Sequence, residues 1–141
     1  MSVHTSVKSY FHLVHSWKRQ LSEQLVSLGY DVAPMHMRAM KIMTKQSPCS
    51  SIEIAKFLRR DKAQVTRLVN TLIKEGLLSK ASNPEDKRSH FLTLTGSGKD
   101  LMNKVSEIDQ AILLQMARGI SNEDLEKFNG IAEKMADNLA R

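Results

Sequence analysis

The chain has 141 residues, a hydrophobic content of 41% and a formal net charge of +6 at pH 7. This length suits one domain, and no apolar run approaches the ~20 residues that span a membrane. The first residues show no basic segment followed by an apolar block, so no secretory signal is expected. The single cysteine excludes an internal disulfide framework and suits a reducing cytoplasm.

Positive charge is concentrated in the middle of the chain. Residues 56–90 hold nine Lys/Arg and four Asp/Glu, so +5 of the net charge of +6 lies in this segment. A concentrated basic segment is typical of a protein that binds a polyanion. A solvated surface with no partner explains the same charge equally well, so charge alone leaves both interpretations open.

Periodicity predicts a long first helix from Val3 to Leu28. Its apolar residues follow a heptad pattern, with one row at seven-residue spacing and a second row between its members. Gly29 ends this helix, and Pro34 suits the first turn of the next, which runs through MHMRAMKIMTK. The first row is Val7, Val14, Leu21 and Leu28, and the second row is Val3, Tyr10 and Trp17.

Two further helices with capping patterns are predicted in the basic segment. Ser50 is followed by Glu53, and Asp61 by Gln64, each at the three-residue spacing of a capping box. The second of these helices has an apolar inward stripe, and Gly76 ends it. Its outward face offers polar and basic side chains, namely Lys62, Gln64, Thr66, Arg67, Asn70, Thr71 and Lys74.

Two short strands, LLSKA and HFLTLT, are predicted next, with the turn SNPEDKRS between them. Two strands are too few for a sheet core, so the expected fold class is mainly α with a small β-hairpin wing. Thr95 and Ser121 can cap two closing helices, each with an apolar stripe. The stripes are Leu101, Val105, Ile108, Ile112 and Met116, and then Leu125, Phe128, Ile131, Met135 and Leu139.

Two capped helices joined by a short turn and followed directly by a hairpin have the layout of a winged helix. The second helix would enter the major groove of DNA, where Arg pairs with guanine and Gln with adenine. The hairpin tip, with Lys87 and Arg88, would reach the neighbouring minor groove. A polar face is common on surface helices, so the helix alone decides little, and the hairpin favours nucleic-acid binding.

Asp86 lies two residues before Arg88, on the same side of the predicted hairpin. We therefore expect its carboxylate to accept hydrogen bonds from the Arg88 guanidinium. An arginine ordered in this way would lose less rotamer entropy when it enters a groove. A solvated loop pair is the alternative, because exposed ion pairs are weak.

The segment IAKFLRRDKAQVTRLVNTLIKEGLLSKASNPEDKRSHFLTLTGSG resembles the winged-helix segment of the MarR family of bacterial transcription regulators, in particular its SlyA-like members. The VTRLV helix, the EGLL helix end, the NPEDKR wing and the LTLT strand carry the resemblance, and both flanks fit in order and length. Two positions depart from the family pattern. Ala33 stands where a capping Ser or Thr is usual, and Gly98 stands three residues after Thr95 in place of an acid.

The resemblance implies a winged helix-turn-helix domain flanked by helices that form a dimerisation domain. The whole chain, residues 1–141, would be one MarR-type domain, with residues 33–95 as the DNA-binding region and residues 1–30 and 97–141 as the dimerisation helices. It further implies a homodimer that binds a palindromic operator in double-stranded DNA, as a repressor or ligand-responsive regulator.

The resemblance also implies roles for particular residues. The family's wing arginine falls on Arg88, the acid that orients it on Asp86, and the recognition-helix arginine on Arg67. The full set of expected DNA-binding residues is Ser50, Lys62, Gln64, Thr66, Arg67, Asn70, Thr71, Lys74, Asp86, Lys87 and Arg88.

Members of the family often lose DNA affinity when a small aromatic acid or an oxidant acts on them. A pocket for a small aromatic ligand near Trp17, Arg19 and Met37 is carried over from the family. The family's peroxide-sensing cysteine falls where this chain has Tyr10 and Phe11.

Other kinds of function have little support in the sequence. No Ser-His-Asp arrangement, pair of catalytic carboxylates, glycine-rich phosphate loop or metal motif is evident, so no enzyme activity, cofactor or metal is expected. Cys49 has no basic neighbour that would make it a reactive thiolate, and it is interpreted as a plain small residue. The alternative function is a winged-helix module that binds a protein and not DNA, which the basic helix face and Arg88 disfavour.

Overall fold

A computed structural model describes residues 2–140, which form six α-helices and one three-stranded antiparallel sheet. The expected fold class, mainly α with a hairpin wing, is confirmed. No helix in this range is long and apolar enough to cross a membrane. The elements are α1 (Val3–Val26), α2 (Pro34–Lys45), β1 (Cys49–Ser50), α3 (Ser51–Leu58), α4 (Lys62–Lys74), β2 (Leu78–Ser82), β3 (His90–Leu94), α5 (Gly96–Met116) and α6 (Asn122–Leu139).

Four helices begin at the predicted capping residues. Each capping side chain accepts the backbone N–H three residues further on, at 2.8 Å for Asp61, 3.0 Å for Thr95, 3.1 Å for Ser121 and 3.2 Å for Ser50. These hydrogen bonds satisfy donors that have no partner inside the helix. Thr95 therefore caps α5 without the acid that is usual three residues later.

The sheet contains one strand more than the sequence predicted. Strand β1 is two residues long, with Cys49 opposite Leu92 and Ser50 opposite Phe91 of β3, and the strand order is β1-β3-β2. A strand this short shows no alternation of apolar and polar residues, so periodicity does not predict it. Its pairing connects the start of α3 to the wing hairpin formed by β2 and β3.

The buried core lies between α2, α3, α4, the sheet and the first half of α5, and α1 reaches it at its carboxyl end. Three methionines of α2 are buried in it, as expected for residues that fill irregular space. The inward stripe of α4 is buried as predicted. The largest fully buried side chains are Met40, Met43, Ile54, Leu72, Leu77, Leu92, Leu101, Val65 and Cys49.

Helix α5 begins in close contact with the base of the wing. A Cβ atom at Gly98 would overlap the backbone carbonyl of Leu77, so this position requires glycine. The same carbonyl accepts the N–H of Thr95 at 3.1 Å, and the Thr95 hydroxyl donates to the carbonyl of Gly76 at 2.6 Å. The start of α5 is thereby fixed to the residues that lead into β2.

The last helix is mostly exposed. No residue of α6 is buried within residues 2–140, and its predicted apolar stripe is exposed except for the half-buried Leu125, with Phe128 54% and Ile131 61% exposed. Large apolar residues are also exposed on α1 and near the end of α5, namely Tyr10, Phe11, Leu113, Leu114 and Ile120. An apolar surface of this kind is typical of a face that packs against another molecule.

Candidate nucleic-acid interface

Helix α4 lies between two clefts, and its outward residues are divided between them. Gln64, Arg67 and Thr71 line one cleft together with Met35 and His36 at the start of α2, and we call it the α2 cleft. Its volume is about 350 Å³. Residues three or four apart share a face of a helix, so this side of α4 is continuous.

The second cleft lies on the other side of α4, and we call it the wing cleft. It has a volume of about 450 Å³ and is lined by Lys62, Thr66 and Asn70 of α4, by residues of α3, and by the wing. Five cationic side chains line it, and no carboxylate of the described chain does so. The cations are Lys56, Arg60, Lys62, Lys80 and Arg88.

Most side chains predicted on the outward face of α4 are exposed, and Thr71 is half-buried. Two of them are already engaged with their own helix. The Thr66 hydroxyl donates to the carbonyl of Lys62 at 2.9 Å, and the Thr71 hydroxyl donates to the carbonyl of Arg67 at 3.0 Å. Lys74 lies near the end of α4 and lines neither cleft.

The prediction that Asp86 holds the Arg88 guanidinium is wrong. Asp86 Oδ1 instead accepts the backbone N–H of Arg88 at 3.0 Å, and the ion pairs found within residues 2–140 both lie on α6. The short aspartate side chain reaches the N–H two residues further on, as in an Asx turn. An exposed ion pair would also restrict a long arginine side chain for little gain.

The wing turn contains a second hydrogen bond of the same kind. Asn83 Oδ1 accepts the N–H of Glu85 at 2.9 Å, and Asn83 Nδ2 donates to the Ser89 hydroxyl at 3.0 Å. Two short side chains therefore shape the loop. The Arg88 side chain lines the wing cleft, while Lys87 is exposed at the tip and lines neither cleft.

Ser50 lines the wing cleft, and its expected role in DNA binding stays a prediction. Its hydroxyl also caps α3, because it accepts the backbone N–H of Glu53. The same hydroxyl donates to Glu53 Oε1 at 3.3 Å. A ligand at Ser50 would therefore meet a hydroxyl whose orientation is already fixed.

Five Lys, Arg and His side chains that line the clefts were not in the predicted set, namely His36, Lys56, Arg60, Lys80 and His90. Arg60 lines both clefts. It follows Arg59, whose φ of 53° ends α3 in the left-handed conformation, and its N–H bonds to the carbonyl of Ala55 at 3.1 Å. The basic charge of Arg60 was visible in the sequence, but its position between two clefts depends on this turn.

The three residues of the expected ligand pocket have different environments. Met37 is 5% exposed and belongs to the core, Arg19 is exposed, and Trp17 is half-buried. None of them lines the α2 cleft or the wing cleft. Within residues 2–140, Trp17 Nε1 and Asp109 Oδ1 are buried without a hydrogen-bond partner. The ligand pocket remains a prediction.

Cys49 is a poor nucleophile in this structure. Burial, together with the nearby Glu53 carboxylate, raises the pKa of the Cys49 thiol to about 11. Its Sγ lies 3.8 Å from Glu53 Oε2. The reactive form of cysteine is the thiolate, so the thiol at neutral pH is largely unreactive. In residues 2–140, no group of three or more His, Cys, Asp or Glu side chains is arranged to hold a metal ion.

The capped helix pair, the exposed α4 flanked by cations, and the wing directly after it define a winged helix-turn-helix protein. Residues 34–90 match the model of the MarR family. This match agrees with the resemblance noted from the sequence, which is thereby confirmed.

Solved structures of MarR-family proteins share the fold over nearly the whole chain. A MarR family transcription regulator has 17% sequence identity and a TM-score of 0.87, covering 98% of this chain and 90% of that chain. A MepR–DNA complex from S. aureus has 20% identity and a TM-score of 0.79, covering 94% and 96%. A mutant MarR from E. coli complexed with operator DNA has 18% identity and a TM-score of 0.74, covering 96% and 99%.

Proposed function

We propose that the protein is a sequence-specific transcription regulator that binds double-stranded DNA as a homodimer on a palindromic operator. The observation that carries this proposal is the exposed α4 with a cationic cleft on each side. The match of residues 34–90 to the MarR family model supports it, and two of the similar structures are described as DNA complexes. A repressor or ligand-responsive regulator in the cytoplasm is the form of regulation that we propose.

In this proposal α4 lies in the major groove and the wing reaches the adjacent minor groove. Gln64 and Arg67 have the side-chain chemistry to recognise adenine and guanine. The cations of the wing cleft neutralise phosphates, which contributes affinity but no base preference. Arg88 approaches the minor groove, where a narrow A·T-rich segment has a strongly negative potential.

A homodimer accounts for most of the apolar surface that the described chain leaves uncovered, apart from Ile52 and Phe57 of α3. The exposed stripe of α6 and the exposed apolar residues of α1 and α5 come from residues 1–30 and 97–141, the segments proposed for dimerisation. Residues 33–95 form the DNA-binding region. A two-fold dimer places two α4 helices about one duplex turn, ~34 Å, apart, and this spacing explains the choice of a palindrome.

A small aromatic ligand near Trp17, Arg19 and Met37 completes the proposal. Its support in the structure is the buried indole N–H of Trp17, which has no acceptor within residues 2–140. A buried donor without a partner destabilises the free protein, so a ligand or a water molecule that accepts from it would be favoured.

The experiment that tests the function is selection of duplexes from a random pool, followed by affinity measurements at several salt concentrations. We expect palindromic duplexes and a log–log salt slope steeper than about −5 for the dimer, since each phosphate contact contributes about −0.9. No enrichment of any duplex, together with salt-insensitive binding to a protein partner, would support a protein-interaction module instead.

A further inference from the structure

We infer that the α2 cleft is a binding site for a phosphate of the DNA backbone, in which His36 donates from Nε2. This inference rests on the proposed function, because it requires a duplex on α4. It assigns a role to the start of α2, a segment outside the expected DNA-binding residues.

The hydrogen bond at the start of α2 fixes the tautomer of His36. The backbone N–H of Ala33 donates to His36 Nδ1, with an N–N distance of 2.8 Å. Nδ1 must therefore carry a lone pair, and in the neutral imidazole the proton is then on Nε2. No hydrogen bond from Nε2 is present among the described residues, so its N–H is available to an acceptor in the cleft.

The other side chains of the α2 cleft suit an anion. Arg60 and Arg67 line it with His36, and no carboxylate of residues 2–140 is among its lining residues. Gln64 adds an amide, and Leu68 contributes apolar surface. The Arg60 guanidinium and the His36 N–H match the negative charge and the acceptor oxygens of a phosphodiester, and the Arg67 guanidinium, which is proposed above to recognise a base, adds positive charge to the cleft.

The position of the cleft agrees with this ligand. Arg67 and Gln64 lie on the side of α4 that faces His36. A helix in the major groove has the phosphate backbones along both of its flanks. The cations of the wing cleft lie along one flank of α4, and those of the α2 cleft lie along the other flank.

The hydrogen bond to Ala33 orders His36 before DNA binds. His36 is the third residue of α2, where the side chain of a capping box accepts the N–H of the capping residue, and Ala33 has no side chain that could make the reciprocal hydrogen bond. A ring held in this way loses little rotamer freedom when a phosphate arrives. The two nitrogens therefore have separate tasks: Nδ1 accepts the N–H of Ala33, and Nε2 donates to the phosphate.

Two substitutions separate these tasks. In His36→Asn, the amide Oδ1 takes the place of Nδ1 as the acceptor for Ala33, but no donor remains at the position of Nε2. In His36→Ala both groups are lost. Lys41→Ala is the matched control, because Lys41 is an exposed basic residue of α2 that lines neither cleft.

Thermal unfolding and DNA affinity are measured for the four proteins, with one palindromic duplex recovered by the wild type and one random-sequence duplex. We expect His36→Asn to keep the unfolding midpoint and to bind both duplexes about tenfold more weakly, as for a lost hydrogen bond to a charged group. The preference for the palindrome should not change, because a phosphate contact carries no base information. His36→Ala should lose affinity and also unfold at lower temperature.

Each other outcome overturns the inference in a recognisable way. If His36→Asn bound DNA as tightly as the wild type, His36 would make no phosphate contact, and the proposed function would stand. A changed preference between the two duplexes would place His36 on a base. Failure of the wild type to bind any duplex would overturn both the inference and the proposed function.

Discussion

The carboxylate of Asp86 accepts the backbone N–H of Arg88 at 3.0 Å, so the acid holds the turn and not the guanidinium. The orientation of the Arg88 side chain toward the wing cleft follows from the backbone that carries it. The role of Asp86 in DNA binding should therefore depend on its oxygen as an acceptor and not on its charge.

Asp86→Asn and Asp86→Ala test this role. The asparagine keeps Oδ1 as an acceptor for Arg88, so we expect affinity for a palindromic duplex equal to or slightly above that of the wild type. The alanine loses the hydrogen bond and should bind more weakly, although it also removes a negative charge. Affinities measured at two salt concentrations decide the question, and tighter binding by Asp86→Ala would refute an orienting role.

Arg88→Ala should lower DNA affinity strongly without altering the fold, because the side chain is exposed and lines the wing cleft. Far-ultraviolet circular dichroism and thermal unfolding provide the check on folding. Normal affinity in a folded Arg88→Ala protein would show that the wing does not reach the duplex.

Arg67→Ala should reduce affinity and relax base preference, by ~1–3 kcal/mol per half-site if the contact to a base is bidentate. Lys62→Ala should weaken all duplexes alike and reduce the salt slope by about one unit per lost phosphate contact. The two residues lie on opposite sides of the exposed face of α4, one in each cleft. Unchanged preference in Arg67→Ala would mean that α4 is oriented differently on the duplex.

Gly98→Ala should destabilise the fold, because its Cβ atom would overlap the carbonyl of Leu77. Overpacking of this kind costs about 1–3 kcal/mol in the free energy of unfolding. Gly96→Ala is the matched control, since a Cβ atom there meets no neighbour within 4 Å. Chemical denaturation of both variants checks the difference, and equal stability would contradict the close contact at Gly98.

Stability at alkaline pH should depend on Cys49. The pKa of its thiol is raised from 9.0 to about 11 in the folded protein, so the folded state retains the proton more strongly than the unfolded state. The resulting contribution to stability is present below pH 9 and is lost as the pH rises through about 11. The free energy of unfolding of the wild type should therefore fall more steeply in this range than that of Cys49→Ala. If the free energy of unfolding fell equally with pH in the wild type and in Cys49→Ala, the raised pKa of the Cys49 thiol would be contradicted.

Ile131→Lys should dissociate the proposed dimer, because it places a charge in the exposed apolar stripe of α6. Glu133→Lys is the control, since this exposed residue lies outside the stripe on the same helix. Light scattering at micromolar concentration should give a dimer mass for the control and a monomer mass for the stripe variant. A monomeric wild type with intact DNA binding would exclude the dimer.

The helices and their first residues could be predicted because capping uses side chains only three residues apart in the sequence. Asp61 and Thr95 are examples, and both accept the expected N–H. Strand β1 could not be predicted, because its pairing depends on β3, far along the chain. The α2 cleft was missed for the same reason, since it brings His36 and Arg67 together only after α2 and α4 have packed.

The contact between Gly98 and Leu77 has a mechanical consequence. The first turn of α5 cannot tilt without displacing the backbone that leads into β2, because no side chain separates Gly98 from the Leu77 carbonyl. The N–H of Thr95 also donates a hydrogen bond to this carbonyl. The remainder of α5 belongs to the segment proposed for dimerisation. A change in the packing of the proposed dimer that moves the start of α5 should therefore also displace the base of the wing.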